Sequence, residues 1–264
     1  MVRLVGRIAA LTALMVALTP GPTLGDQPVA ATPADHAAWP VRAAYAGPTN
    51  RYPHNIMGRI PGWSRLQVDV APCANCQSAG RQLRLEQPQS GVFEDFAPRL
   101  WDITGDGRPE IVLVESDQSK GARLVVWQVT GDSRNAALHR LATTAYLGTK
   151  FRWLAPVGAA DFDGDGTIEI AYVEKPHLDR VLRLVQIDGN RLVSVAALAG
   201  VTNHAIGQEK LASLVRTCAG VPEIIALSGD GQHVLAITWE KPGLTARRIG
   251  QATEGQLPAG LDKC

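Results

Sequence analysis

The chain has 264 residues with 26 Lys and Arg against 25 Asp and Glu, a net charge of +1. Its basic residues are dispersed, so a broad cationic face for nucleic acid is excluded. With 45% apolar residues, 26 Gly and 17 Pro, it reads as a globular, turn-rich chain rather than a disordered one.

Arg3 and Arg7 precede an apolar run from Ile8 to Leu18, which Pro20 and Pro22 break before Thr23-Leu24-Gly25. The run is too short to span a bilayer, and small residues follow it, so residues 1–25 are expected to be a cleaved secretory signal. No Cys follows the run, which argues against lipid attachment there. Export leaves 239 residues (264 minus 25), periplasmic or secreted and without a transmembrane anchor, enough for one all-β domain. Residues 26–47 are Ala- and Pro-rich without a sustained period, and read as a flexible lead-in on which only Trp39 and Tyr45 offer packing surface.

Strand signals begin near Ile60, with alternation in Leu66-Gln-Val-Asp-Val70 and again in Gln82-Leu-Arg-Leu85. Between them stands Cys73-Ala-Asn-Cys76, which with Cys218 and Cys264 completes the four cysteines. In an oxidising compartment an even number favours disulfides, and four allow three connectivities. A redox role for Cys73 and Cys76 would want a βαβ context, haem attachment would want His where Gln77 stands, and zinc would need four reduced thiolates. Structural disulfides are the expectation, with Cys218 stapling a turn.

Asp161-Phe-Asp163-Gly-Asp165-Gly166-Thr-Ile-Glu169 dominates the centre of the chain and runs into Ile170-Ala-Tyr-Val173. Carboxylates at alternate positions of a tight loop can converge on one point, and Gly166 permits the positive φ that folds the loop back. Two carboxylates about 5 Å apart repel by roughly 3 kcal/mol at an effective dielectric of about 20, so such a cluster calls for a counter-charge. Oxygen ligands in this number suit calcium.

The pattern recurs upstream as Asp102-Ile-Thr104-Gly-Asp106-Gly107-Arg-Pro-Glu110-Ile111, with Thr104 in the place of Asp163. A third copy, Val221-Pro-Glu223-Ile-Ile-Ala-Leu227, keeps the strand but has Thr217, Cys218 and Ala219 where ligands would be. The glutamates are 59 and 54 residues apart. Each copy reads strand, loop, strand, hairpin, strand and a weaker fourth strand. The units span 93–147, 151–200 and 206–249, with a partial one at 55–90. Such a period predicts an all-β propeller of about four blades, each of four antiparallel strands, over residues 48–264. An EF-hand is excluded because loop position 12 is Tyr172 or Leu113 rather than Glu, and a strand pattern follows rather than a helix.

At these residues the chain resembles the FG-GAP/VCBS repeats of integrin α-subunit propellers and of many secreted bacterial proteins. The resemblance covers about residues 93–245. It implies a calcium-supported propeller whose ion loops link the first two strands of a blade. Asp161, Asp163, Asp165, the Thr167 carbonyl and Glu169 would be one ligand set. Asp102, Thr104, Asp106, the Arg108 carbonyl and Glu110 would be the other.

Three functions fit. A non-enzymatic binding module would take a protein or glycan partner, and a structural envelope scaffold would be built alike. A hydrolase or lyase would work at the propeller axis, where Arg152, beside Trp153, His177, His204 and Arg216 are the candidate pocket residues. No nucleophile elbow, zinc-protease pair or phosphate loop is present, so no catalytic residue is assigned.

Overall fold

The computed structural model describes residues 38–73, 76, 80–132 and 134–264. The expected signal (1–25) and residues 26–37 of the lead-in lie outside the described residues. Every regular element among the described residues is a strand. No helix there is long and apolar enough to cross a membrane.

The strands fall into four consecutive antiparallel groups. The first is β1 (Trp39–Thr49), β2 (Gly62–Ala71) and β3 (Arg81–Glu86), with β2 in the middle. In the second, β4 (Gly91–Phe93) and β5 (Arg99–Trp101) both lie against β6 (Glu110–Asp117), followed by β7 (Gly121–Thr130) and β8 (Ala137–Thr143). The third is the meander β9 (Leu154–Ala160), β10 (Glu169–Glu174), β11 (Val181–Asp188) and β12 (Arg191–Ala199). The fourth repeats the second: β13 (Val201–Thr202) and β14 (Leu214–Cys218) both lie against one edge of β15 (Val221–Ser228), then β16 (His233–Glu240) and β17 (Gly243–Gln251) follow. Single pairings, Trp63↔Phe93 and Arg191↔Thr143, join the first three groups into one 12-stranded sheet.

The central strands explain why the groups stack. Ile111 and Leu113 of β6 enter the apolar cluster shared with Leu66, Val68 and Val70 of β2, while Val112 and Val114 enter the cluster shared with β10. On β10, Ile170 and Tyr172 face β6, whereas Ala171 and Val173 join Ile224 and Ala226 of β15. Alternate residues of one strand thus serve two cores, which is why these segments read as unbroken apolar runs. Burying each Ile, Val or Leu is worth roughly 1.5–3 kcal/mol, so a single sheet with one face in water would forfeit half its core.

The two ends are finished differently. On β2 the second face carries Arg65, Gln67 and Asp69; Asp69 accepts from Arg42 Nε at 2.8 Å and from Gln82 Nε2 at 2.9 Å, and Arg65 pairs with Glu86. On β15 the second face, Ile225 and Leu227, is covered by Ile249, Ala252, Leu257 and Leu261 of the carboxyl-terminal segment. Among the described residues no apolar cluster joins a strand of the first group to a strand of the fourth, although Ile56 and Met57 of the β1–β2 loop and Leu211 of the segment before β14 share one. Their loops do meet: Gly207 N donates to Ile56 O at 2.8 Å, and Arg59 Nε pairs with Glu209 at 2.8 Å. Gly158 permits a close approach of neighbouring inner strands, since a Cβ there would lie 2.3 Å from Val215 Cγ2.

The last part of the expected lead-in is a strand. Residues from Trp39 onward form β1, paired with β2 from Trp39↔Ala71 to Thr49↔Gly62. Pro40 and Pro48 mask the strand, but β1 is a sheet edge, where a residue without an N–H is tolerated. Tyr45 stacks at 5.4 Å on Phe93, which ties the segment to the core.

All four cysteines are paired, as Cys73–Cys76 and Cys218–Cys264. The second bond joins β14 to the segment covering the last core, at a Cα separation of 5.7 Å. Beside it, Ala219 (φ 50°) and Gly220 (φ 82°) make the tight turn that stands where the other copies have acidic loops. Loop entropy grows with the span closed, and the spans are 46 and 3 residues. Replacing Cys218 and Cys264 by Ser should therefore cost about 4 kcal/mol and replacing Cys73 and Cys76 about 1.5 kcal/mol on the chain-entropy model. Urea denaturation of the two double variants measures the difference.

Candidate functional site: an acidic cradle and a pocket at opposite strand ends

The Asp161 loop joins β9 to β10, and the Asp102 loop joins β5 to β6, so each links the first two strands of a meander. Their backbones are built alike. Asp102 Oδ1 accepts from Gly105 N at 2.8 Å and Oδ2 from Gly107 N at 2.9 Å; Asp161 accepts from Gly164 N at 2.8 Å and Gly166 N at 3.0 Å. Glu110 Oε2 accepts from Ile103 N at 2.8 Å, as Glu169 Oε2 does from Phe162 N. Gly166 sits at φ 90°, which an L side chain rarely adopts.

The loops part company in their charge balance. Thr104 Oγ1 donates to Glu110 Oε1 at 3.3 Å, and Arg108 pairs with Asp106 at 3.2 Å. The Asp102 loop is self-contained. In the other loop Asp163 replaces the hydroxyl donor with a charge, and the buried Glu169 Oε1 has no hydrogen-bond partner. One oxygen each from Asp161, Asp163 and Glu169 lies within 4.8 Å of the others. Among the described residues no Lys, Arg or His forms an ion pair with them or with Asp165. Burial, and then the charges of Asp163, Asp165 and Asp161, push the Glu169 carboxyl up to about 7. Buried oxygen short of positive charge, in a set of hard oxygen donors, fits a calcium-sized cation. Asp165 instead caps its own turn, accepting from Thr167 N at 2.7 Å.

Opposite this end, β9 starts and β10 finishes at a pocket roughly 20 Å away, the length of a seven-residue strand. Its volume is about 360 Å³ and its walls include His54, Phe151, Arg152, His177, Leu178 and Ile206. His54 Nδ1 lies 2.6 Å from Oε1 of the buried Glu94, and Ser116 Oγ donates to Glu94 Oε2. Trp153 Nε1 donates to Glu94 O at 2.7 Å, and its ring stacks on His177 at 6.0 Å. His204 Nε2 donates to Gln208 O at 2.8 Å, which leaves its Nδ1 to accept from His177 Nε2, also at 2.8 Å. His204 lines a second recess on the far side of His177.

Of the four pocket residues expected from sequence, Arg152, His177 and His204 come together, and Arg216 does not. Arg216 pairs with Glu223 at 2.7 Å and donates to Lys263 O at 2.8 Å, clamping the carboxyl-terminal segment. The missed residues are His54 and Glu94. An isolated His in a Pro-rich stretch and a Glu before an acidic loop carry no signal until the chain brings them together.

Residues 102–172 match the model of the FG-GAP-like repeat family, a span that begins at the first carboxylate of one loop and ends beyond the second. Over these residues the chain carries an FG-GAP-like repeat. No curated protein matches the chain at a significant level.

Burial, with His204, His54 and the Arg180 guanidinium close by, pulls the His177 imidazole down to about 4, and burial also lowers His204. An unfolded His binds its proton near pH 6.5. The unfolded state thus holds more protons between pH 6.5 and about 4, so stability from this pair is present above 6.5 and lost as pH falls. Buried Glu94 and Asp95, with raised values, act in the opposite sense. Urea denaturation at pH 7, 5.5 and 4 should show a smaller loss for His177→Asn than for the natural chain.

Proposed function

We propose that this chain is an exported, calcium-stabilised, propeller-like binding module, whose four strand groups act as blades and whose loops at the far strand ends receive a partner. The observation that carries the cation reading is the unpartnered Glu169 Oε1 inside a cluster of carboxylates. Asp161, Asp163 and Glu169 would hold the ion, with Asp165 and the Thr167 carbonyl as its neighbours in the loop. Bound there, calcium supplies the positive charge the cluster lacks and cross-links the turn to the first residue of β10. The two disulfides and the repeat type favour an oxidising, extracytoplasmic setting.

An ion bound only by the folded form adds RT ln(1 + [L]/Kd), about 1.4 kcal/mol for millimolar calcium over a Kd near 10⁻⁴ M. That corresponds to a rise of about 3–6 °C in melting temperature. Calorimetry with calcium and with chelator should show this rise in the natural chain and none in Asp161→Asn. Asp102→Asn should leave the calcium-dependent rise intact. Thr104→Asp, which restores the third carboxylate, should add a second increment. Identical melting with calcium and chelator in the natural chain would rule out the cation reading.

A catalytic reading draws on the convergence of Arg152, His177 and His204 with the His54–Glu94 pair. Binding is favoured over it because no Ser, Thr, Cys, Asp or Glu is among the residues lining the pocket, so no hydroxyl, thiol or pair of carboxylates faces the space, and the Lys175 amine is held as an ion pair by Asp179.

A further inference from the structure

The pocket between His54, Arg152 and His177 is specific about what it could hold. Only four large apolar side chains are exposed among the described residues, and two of them, Leu178 at 55% and Ile206 at 69%, line this one pocket. With Ile56 and Pro176 they give it an aliphatic wall and mouth. The volume of about 360 Å³ falls in the range of small-molecule sites.

The aromatic rings are not available as platforms. One face of Trp153 is stacked on His177 at 6.0 Å, while Phe96 and His204 hold its flanks at 6.2 and 5.2 Å. Phe151 has His54 stacked at 5.0 Å and Lys150 Nζ over its ring at 4.6 Å. A sugar recognised by stacking needs an open aromatic face, and neither residue offers one.

The charge of the pocket is equally restricted. Lys175 is held by Asp179 at 2.7 Å and lies 3.6 Å from Glu174. Glu94 is buried behind His54. The hydrogen-bond chain from Gln208 O through His204 to His177 fixes which ring nitrogens donate, and burial holds both imidazoles below their ordinary values, on the neutral side at neutral pH. Arg152 takes part in no ion pair among the described residues, and its Nη1 donates only to Phe151 O at 3.1 Å. The walls therefore present one guanidinium with no ion-pair partner beside aliphatic surface; Asp179, the carboxylate that feels its charge, is already paired with Lys175. A dianion such as a phosphate monoester would be short of counter-charge, whereas a monocarboxylate matches a planar guanidinium fork.

The backbone around the pocket is held in uncommon conformations. Among the described residues, four of the six non-glycine residues with positive φ, Asn55, Phe151, Lys175 and Arg180, line it or one of its two neighbouring recesses. Phe151 is pinned there by a hydrogen bond from its N to Tyr52 Oη at 2.7 Å. Strain of this kind gathers where side chains must be aimed.

We propose that this pocket binds a small aliphatic monocarboxylate, its head group on Arg152 and its chain along Ile56, Leu178 and Ile206. The assignment deepens the binding-module reading by naming a ligand class. A free fatty acid and the carboxyl terminus of a peptide ending in an aliphatic residue share this chemistry.

Isothermal titration of the full chain with octanoate, octanol, methyl glucuronide, acetyl-Ala-Leu with a free carboxylate, and acetyl-Ala-Leu amide tests it. Octanoate or the free peptide acid should bind at least tenfold more tightly than octanol or the amide. The tighter of the two acids identifies the source. Arg152→Gln should abolish that charge preference, and Leu178→Ser with Ile206→Ser should weaken the preferred acid at least tenfold. Circular dichroism would verify that both variants are folded. Equal binding of acid and neutral partner, tighter binding of the glucuronide, or no binding of either acid would overturn the assignment. Running the same titration with calcium and with chelator separates this outcome from failure of the cation reading, which melting alone decides.

Discussion

The architecture depends on central strands that are apolar on both faces. β6, β10 and β15 each send alternate side chains into two different cores. A sheet of this kind is stable only between two covers, so each group must stack against neighbours, and the series must end on something other than another group. At one end β2 turns polar on its outer face. At the other the carboxyl-terminal segment, fixed by Cys218–Cys264 and by Arg216, lies over Ile225 and Leu227.

Stacking meanders in one direction also sorts their turns. The acidic loops that enter β6 and β10 form one set at one end, and the segments around the β10–β11 hairpin form a second set at the other. The first set is rigid by chemistry: Asp102 and Asp161 draw successive backbone N–H groups inward, and Glu110 and Glu169 reach back from the following strand. One hinge then has two electrostatic versions. In one, Thr104 satisfies the glutamate and Arg108 offsets Asp106, whereas Asp163 gives the other a fourth carboxylate with no cation paired to it and an unsatisfied buried oxygen. A third version dispenses with carboxylates and uses a two-residue turn beside a disulfide. All three solve the same problem, holding a tight reversal between two buried strands.

The second set of loops is free of that task, and there the polar and exposed apolar groups collect. Segments from three of the four groups contribute: the β1–β2 loop, the residues before β9 with the β10–β11 hairpin, and the segment after β13. This division, a stiff scaffold with variable loops at one end, is common to binding proteins.

Much of this was legible in the chain itself. Gly at the positive-φ loop positions, β-branched runs after each glutamate, and the spacing of 59 and 54 residues determine the repeat and the order of its strands. The substitution of Thr104 for Asp163 already foretells which loop is short of a counter-charge. These are local properties, carried by a few adjacent residues. Three things were decided only by the tertiary structure. The Pro-containing β1 is a strand because it has an edge to pair with, a property of its neighbour rather than of its own sequence. The cysteines pair as they do because stacking brings β14 under the carboxyl-terminal segment. The pocket exists because His54 meets Glu94 40 positions on, Glu94 meets Trp153 59 positions on, and Tyr52 meets Phe151 99 positions on. Contacts over such spans leave no periodicity to read, since each residue is positioned by a different strand group and the stack alone aligns them.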